Sequence, residues 1–218
     1  MTRLLPCILI SLVPSSTYAE DLHVDGSAGN NTFQAVFDAK IGERIMATSS
    51  AVACQASYDE AAGTFTGSCA VPLTSIKIDN EDTKTEHFQQ WATNRKVDPK
   101  SCQFAARFTD VKVGRLAPEV PASFATDIPF TVCGRARADG GKEHVHGHAV
   151  LLPAGSYGAV RTIRVRATVD HFDRDKYHIG PKYTEGWLAR VQSLAKVVAD
   201  DGSIEITLFA KAKSPTSP

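Results

Sequence analysis

Along most of the chain, apolar residues recur at every second position, in runs cut by Gly, Asp and Pro. A period of two marks strands with one buried face. It predicts eight strands: Thr32–Lys40, Ile45–Tyr58, Thr64–Leu73, Cys102–Val113, Ile128–Ala138, Glu143–Leu152, Thr162–Val169 and Ser203–Ala210. Hairpin-type connections join them, so the expected fold is mainly β, an antiparallel barrel or sandwich. Two segments read instead as helix. Glu81–Trp91 has acidic residues at its start, no Gly or Pro, and Phe88 and Trp91 three apart. Trp187–Val198 places Trp187, Val191, Leu194 and Val198 on one helical stripe, with a strand and long turn as the alternative. Either helix would cap one end of a barrel.

Alternation also sets register. Around a turn at residues 58–63, placing Cys54 opposite Cys69 puts Val52 opposite Val71, Ala56 opposite Gly67 and Tyr58 opposite Phe65, all on one apolar face. A slip by one residue would mix the faces, so a Cys54–Cys69 cross-strand disulfide is expected. A second hairpin is expected to turn at Gly140-Gly141. Arg137 then faces His144, Arg135 faces His146 and Cys133 faces His148, with Phe130, Val132, Ala136, Val145, Ala149 and Leu151 on the inner side.

The N-terminus departs from this pattern. Arg3, the apolar run Leu4–Val13 and the small-residue stretch ending in Ala19 read as a cleavable secretory signal over residues 1–19. The run is too short to span a bilayer, which takes about 20 residues. The remainder suits one domain over residues 20–212, with a disordered tail at 213–218. An exported chain is periplasmic or secreted, and its four remaining cysteines, Cys54, Cys69, Cys102 and Cys133, read as disulfides. Cys102 is in phase with the inward Phe104 and Phe108, whereas the second hairpin turns Cys133 outward. A Cys102–Cys133 bond therefore requires a bulge or an inverted face; otherwise these two cysteines stay unpaired. Lys+Arg and Asp+Glu balance at 24 each, which favours neither nucleic acid nor an acidic surface as partner.

Candidate chemistry is sparse. His144-x-His146 on a strand puts two imidazoles on one face, a spacing that suits zinc. Arg135 and Arg137, expected opposite, would repel a cation, and a third histidine four residues along is about 13 Å from the first. No nucleophile motif or phosphate-binding glycine loop is present, and Cys in a disulfide cannot attack. No cofactor is expected, and the chain reads as a binder rather than an enzyme.

Three stretches then carry a resemblance. Ser75-Ile-Lys-Ile-Asp-Asn-Glu-Asp-Thr-Lys-Thr-Glu-His87-Phe88 is a strand leading into a charged helix. Ile128-Pro-Phe-Thr-Val-Cys-Gly134 is a strand before a hairpin, and Asp173-Arg-Asp-Lys-Tyr177 lies near the C-terminal end. In order and spacing they resemble the YceI-like family of exported barrels. Thr85 stands where that family has an acidic residue, and Cys133 where it has His. Residues 92–100 replace an aromatic stretch, and Trp187–Val198 resembles an insertion. The resemblance implies an eight-stranded antiparallel lipocalin-like barrel with one or two short helices. Its lumen would hold an apolar lipid such as a polyisoprenoid, quinone or fatty-acid amide, with no stable membrane anchor. Phe104, Phe108, Phe130, Val132, Ile163, Val165 and Val169 form the candidate inner set, and His87 and Trp91 would line the mouth. The same residues filling a closed core would leave an interaction module working through the Arg135/Arg137/His144/His146 face. A metal-binding protein using His144 and His146 is the other alternative.

Overall fold

The computed structural model describes residues 19–39, 42–184 and 198–213. Within them the period-two pattern folds into an antiparallel sheet. Its first half comprises β1 (Glu20–Val24), β2 (Thr32–Ala39), β3 (Arg44–Ser49), β4 (Ala53–Asp59), β5 (Thr64–Pro72) and β6 (Lys77–Ile78). After helix α1 (Asp82–Thr93) come β7 (Gln103–Lys112), β8 (Pro121–Ile128), β9 (Phe130–Val132), β10 (Arg135–Ala136), β11 (Glu143–Leu152), β12 (Thr162–Asp173) and β13 (Val198–Ala212). The ladder runs β10-β9-β7-β5-β4-β1-β13-β12-β11-β8, with β2, β3 and β6 branching from β13.

Among the described residues there are more strands than the eight expected: Ile45–Tyr58 and Ile128–Ala138 each break in two, and β1, β6 and nearly all of β8 lie outside every expected strand. β2 pairs with β3 and β1 with β4, so β1–β2 and β3–β4 are the arms of one long hairpin, interrupted at the same level. Buried Asn31 satisfies backbone groups at the break: its Nδ2 donates to the Asp25 carbonyl (2.8 Å) and its Oδ1 accepts from the Phe209 N–H (3.0 Å). The 15-residue β13 spans both halves, pairing with β2 through Thr207 and with β1 at Lys211 and Ala212. The expected helix is present, extended to Thr93, and ends in left-handed Asn94 (φ 53°). Thr85 ties it to the sheet, its Oγ1 accepting from the Ile78 N–H (3.0 Å). The signal segment, the tail and the predicted helix at 187–198 lie outside the described residues, apart from Ala19, Lys213 and Val198, and Val198 begins β13.

The first hairpin has the expected register, Cys54 opposite Cys69, Ala56 opposite Gly67 and Tyr58 opposite Phe65, and the two cysteines are bonded. The second hairpin is corrected. Residues 128–138 are not one strand: Cys133 (φ 50°) and Gly134 (φ 76°) are both left-handed and fold β10 straight back onto β9. β11 pairs instead with β8, which lies almost wholly outside the expected strands, so His144 faces Asp127, His146 faces Ala125 and His148 faces Ser123. The face assignment of β11 survives the change of partner, with Val145, Ala149 and Leu151 buried. Cys133, in a turn, is freed from strand alternation and bonds to Cys102. Pro129 separates β8 from β9, and having no N–H it interrupts the ladder. One bent segment thus serves both ends of the sheet; the ladder is not closed across it, and the Arg107 N–H reaches the Pro129 carbonyl at 3.4 Å.

Candidate functional site: an apolar cavity beneath a helix

The two ends of the barrel differ because large inward side chains are unevenly placed. At the end where β1 meets the last residues of β13, Leu22, Tyr58 and Ile163 are almost fully buried. Tyr58 closes that end: its hydroxyl donates to the Gly114 carbonyl and accepts from the Leu116 N–H, both at 3.0 Å. At the other end the inward face of β2 alternates large and small, Phe33, Ala35, Phe37 and Ala39, and Ala35 lies directly opposite Ala47 of β3. Facing alanines leave space, and a cavity of about 440 Å³ fills it.

Helix α1 covers this space. Lys84, His87, Phe88 and Trp91 recur at the three- and four-residue spacing that puts side chains on one helical face, and all four border the cavity. His87 is stacked on Trp91 at 6.3 Å. Leu73, Ile76 and Ile78 continue the wall, and Ile204 of β13 completes it. The floor is aromatic: Phe104 lies 5.3 Å from Phe33, 5.3 Å from Phe130 and 5.7 Å from Phe172, in tilted or edge-on contacts.

The two cations bordering the cavity among the described residues, Lys84 and Arg174, are already engaged. Lys84 binds Asp79 and Glu81, each at 2.9 Å, and these bonds, Asp79 first, raise its pKa above the ordinary lysine value. Arg174 is buried, and its guanidinium donates to the carbonyls of Ala199, Ile179 and Val198 and pairs with Asp200 at 2.9 Å. Burial lowers its pKa, with Asp200 opposing. Arg174 thus pins the start of β13 to the rim. Glu43 is the remaining charged residue bordering the space among the described residues.

Of the residues singled out from sequence, Phe104, Val132, His87 and Trp91 border the cavity. Phe108, Phe130, Ile163 and Val165 do not; Phe130 lies behind Phe104, and Ile163 and Val165 pair with Ala210 and Leu208 toward the packed end. Val169, beside Ile204, is core. The reading missed Ala35, Phe37, Ala47 and Phe172, although the large–small alternation of β2 was visible in the sequence.

The outer face differs from expectation. Arg135 and Arg137 turn away from the histidines: Arg135 donates to the carbonyls of Ala92 and Tyr177, and Arg137 binds Asp139 and buried Glu143. Glu143 also accepts from the Tyr177 hydroxyl at 2.6 Å. Each histidine has its own cross-strand neighbour, Asp127 for His144 (2.9 Å), Asp170 for His146 (2.9 Å) and Ser123 for His148 (3.1 Å). Among the described residues no three or more His, Cys, Asp or Glu side chains gather as a metal site, and no helix is long and apolar enough to cross a membrane.

No protein-family model matches the chain, and no curated protein sequence matches it. Among solved structures it is similar to a polyisoprenoid-binding domain from Saccharophagus degradans implicated in plant cell wall breakdown. The TM-score is 0.61 and the identity 13%, covering 90% of this chain and 100% of that one. At this identity the likeness is one of fold: mainly β, antiparallel and lipocalin-like, with a few short helices.

Proposed function

We propose that the protein binds an apolar lipid, an isoprenoid or acyl chain, in the cavity beneath α1, as the YceI-like resemblance implied. The observation that carries this reading is an apolar space open beneath a helix at one end of a barrel whose other end is plugged by Tyr58. Its volume falls within the ~300–1,000 Å³ typical of small-ligand pockets. Burial supplies the affinity, about 0.8 kcal/mol for each CH₂ taken from water.

The head group belongs at the rim near His87. Among the described residues bordering the cavity, Lys84 is balanced by two carboxylates and Arg174 by Asp200 and three carbonyls, so neither is left to pair with an anionic head. An uncharged head, such as a quinone, alcohol or amide, fits this rim best. The role is binding or carriage. Two disulfides and the signal-like N-terminus support export to an oxidising compartment.

Native mass spectrometry of the protein purified from its host, followed by solvent extraction, tests the reading. A bound, solvent-released mass assignable to a neutral isoprenoid or acyl lipid is expected. A ligand-free mass, together with no uptake of added farnesol, would refute it.

A further inference from the structure

The cover of the cavity belongs to a closed circuit of bonds. Helix α1 ends at Asn94, and Arg95 after it is also left-handed (φ 52°). The chain then passes through the short turn Pro99–Ser101 to Cys102. Cys102 is bonded to Cys133, in the two-residue turn between β9 and β10. Two residues further on, Arg135 reaches back, its Nη2 donating to the Ala92 carbonyl in the last turn of α1 and its Nε to the Tyr177 carbonyl at 3.2 Å. Helix end, loop, disulfide, turn and guanidinium form a ring that returns to the helix. The ring also touches the cavity wall, since the Leu73 N–H donates to the Cys102 carbonyl (3.0 Å).

The two disulfides differ in what backs them. Cys54–Cys69 lies within a ladder running from Ala53 to Asp59, so its strands stay paired without it. Cys102–Cys133 fastens a short hairpin held to β7 by the pairs of Phe104, Ala105 and Ala106, by a bond from the Cys133 N–H to the Gln103 carbonyl, and by the long Arg107 N–H contact to the Pro129 carbonyl. Cys133 is partly exposed, whereas Cys102 is 3% exposed, so an incoming thiolate meets the Cys133 sulfur first.

We infer that Cys102–Cys133 is a redox latch on the cavity: oxidised, it holds α1 over the occupant; reduced by a dithiol, it lets the end of α1 loosen and the occupant leave. One thiolate of the dithiol attacks Cys133 Sγ, the S–S bond breaks, and Cys102 Sγ leaves and takes up a proton. The second thiol attacks the mixed disulfide, releasing Cys133 as a thiol and the reductant as its own disulfide. Two electrons and two protons pass to the protein. Control of ligand release rests on the lipid-binding reading above; the latch on the helix does not.

The test uses a Cys54→Ser/Cys69→Ser variant, in which Cys102–Cys133 is the disulfide left to reduce. Release of bound tritiated farnesol and amide hydrogen exchange are followed with and without dithiothreitol, and Cys102→Ser/Cys133→Ser is the companion variant. Reduction is expected to speed farnesol release about tenfold or more and to speed exchange in the last turn of α1, while β12 and β13 stay protected. Unchanged exchange in α1 overturns the latch. Faster exchange with unchanged release overturns its control of the cavity. If the oxidised protein never binds farnesol, the lipid reading fails instead, and the exchange data still decide whether the helix is latched.

Discussion

Ala35 offers a substitution whose effects on stability and binding should have opposite signs. It is buried on β2, opposite buried Ala47, and both border the cavity. In a filled core, Ala35→Phe would overpack and cost about 1–3 kcal/mol. Placed into a void of about 440 Å³, the ring instead buries its own apolar surface. Cavity filling commonly adds about 0.5–2 kcal/mol, and a protein of this size gains roughly 2–4 °C in Tm per kcal/mol. An occupant loses what the ring takes. Displacing about four carbons at ~0.8 kcal/mol each removes ~3 kcal/mol, or roughly two-hundredfold in affinity. The assay is calorimetric Tm of delipidated wild type and variant, with farnesol Kd by equilibrium dialysis. A raised Tm with weakened binding is expected. A lowered Tm with unchanged Kd would mean that the space is packed core and that the ligand, if any, binds elsewhere.

Two other outcomes follow from the outer strands. A Cβ added at Gly147 would run into the backbone of Arg166 and Ala167 on β12, so Gly147→Ala should lower stability by about 1–3 kcal/mol, read as a lower urea midpoint at constant m; an unmoved midpoint would contradict this close approach. His171 lies 3.0 Å from Asp201, whose hydrogen bond and charge raise its pKa above the usual 6.5, with burial opposing. Because the folded-state value is the higher one, this stabilisation is fully present below 6.5 and lost as pH rises through the raised value. An NMR titration should place the His171 midpoint above 6.5 and show it falling in Asp201→Asn; equal midpoints would mean the pair does not form in solution.

Strand parity was readable from the sequence, and strand partners were less so. The Cys54–Cys69 hairpin was legible because its turn is local and both faces agree over several pairs. For β11, alternation put Val145, Ala149 and Leu151 inside, and they are inside, but it could not say which strand lies alongside. The Gly140-Gly141 turn suggested the preceding segment. That segment is diverted by the left-handed pair Cys133-Gly134 and by Arg137, held between Asp139 and Glu143. The true partner, β8, has Pro121 at its start and Pro129 just beyond its end, and its inward positions include the small or polar Ala122 and Thr126. Prolines read as loop, yet here they mark where a strand enters and leaves the ladder.

The cavity was harder to see because it is made of missing volume. Hydropathy scores Ala35 and Ile163 alike as inward and apolar, so it nominates β12 as readily as β2. Which of them borders space depends on what stacks above and across. Ile163 sits at the end closed by Tyr58 and Leu22, whereas Ala35 meets Ala47 with Ile204 alongside. The helix was the better guide. Phe88 and Trp91 on one stripe of an otherwise polar helix required an apolar surface beneath them, and the structure adds Lys84 and His87 to the same face at the cavity border. An amphipathic helix beside a strand of alternating Phe and Ala is therefore a sharper sequence sign of a lined cavity than any single apolar strand. The same helix, whose last turn accepts from Arg135, is the cover under which the lipid is proposed to bind.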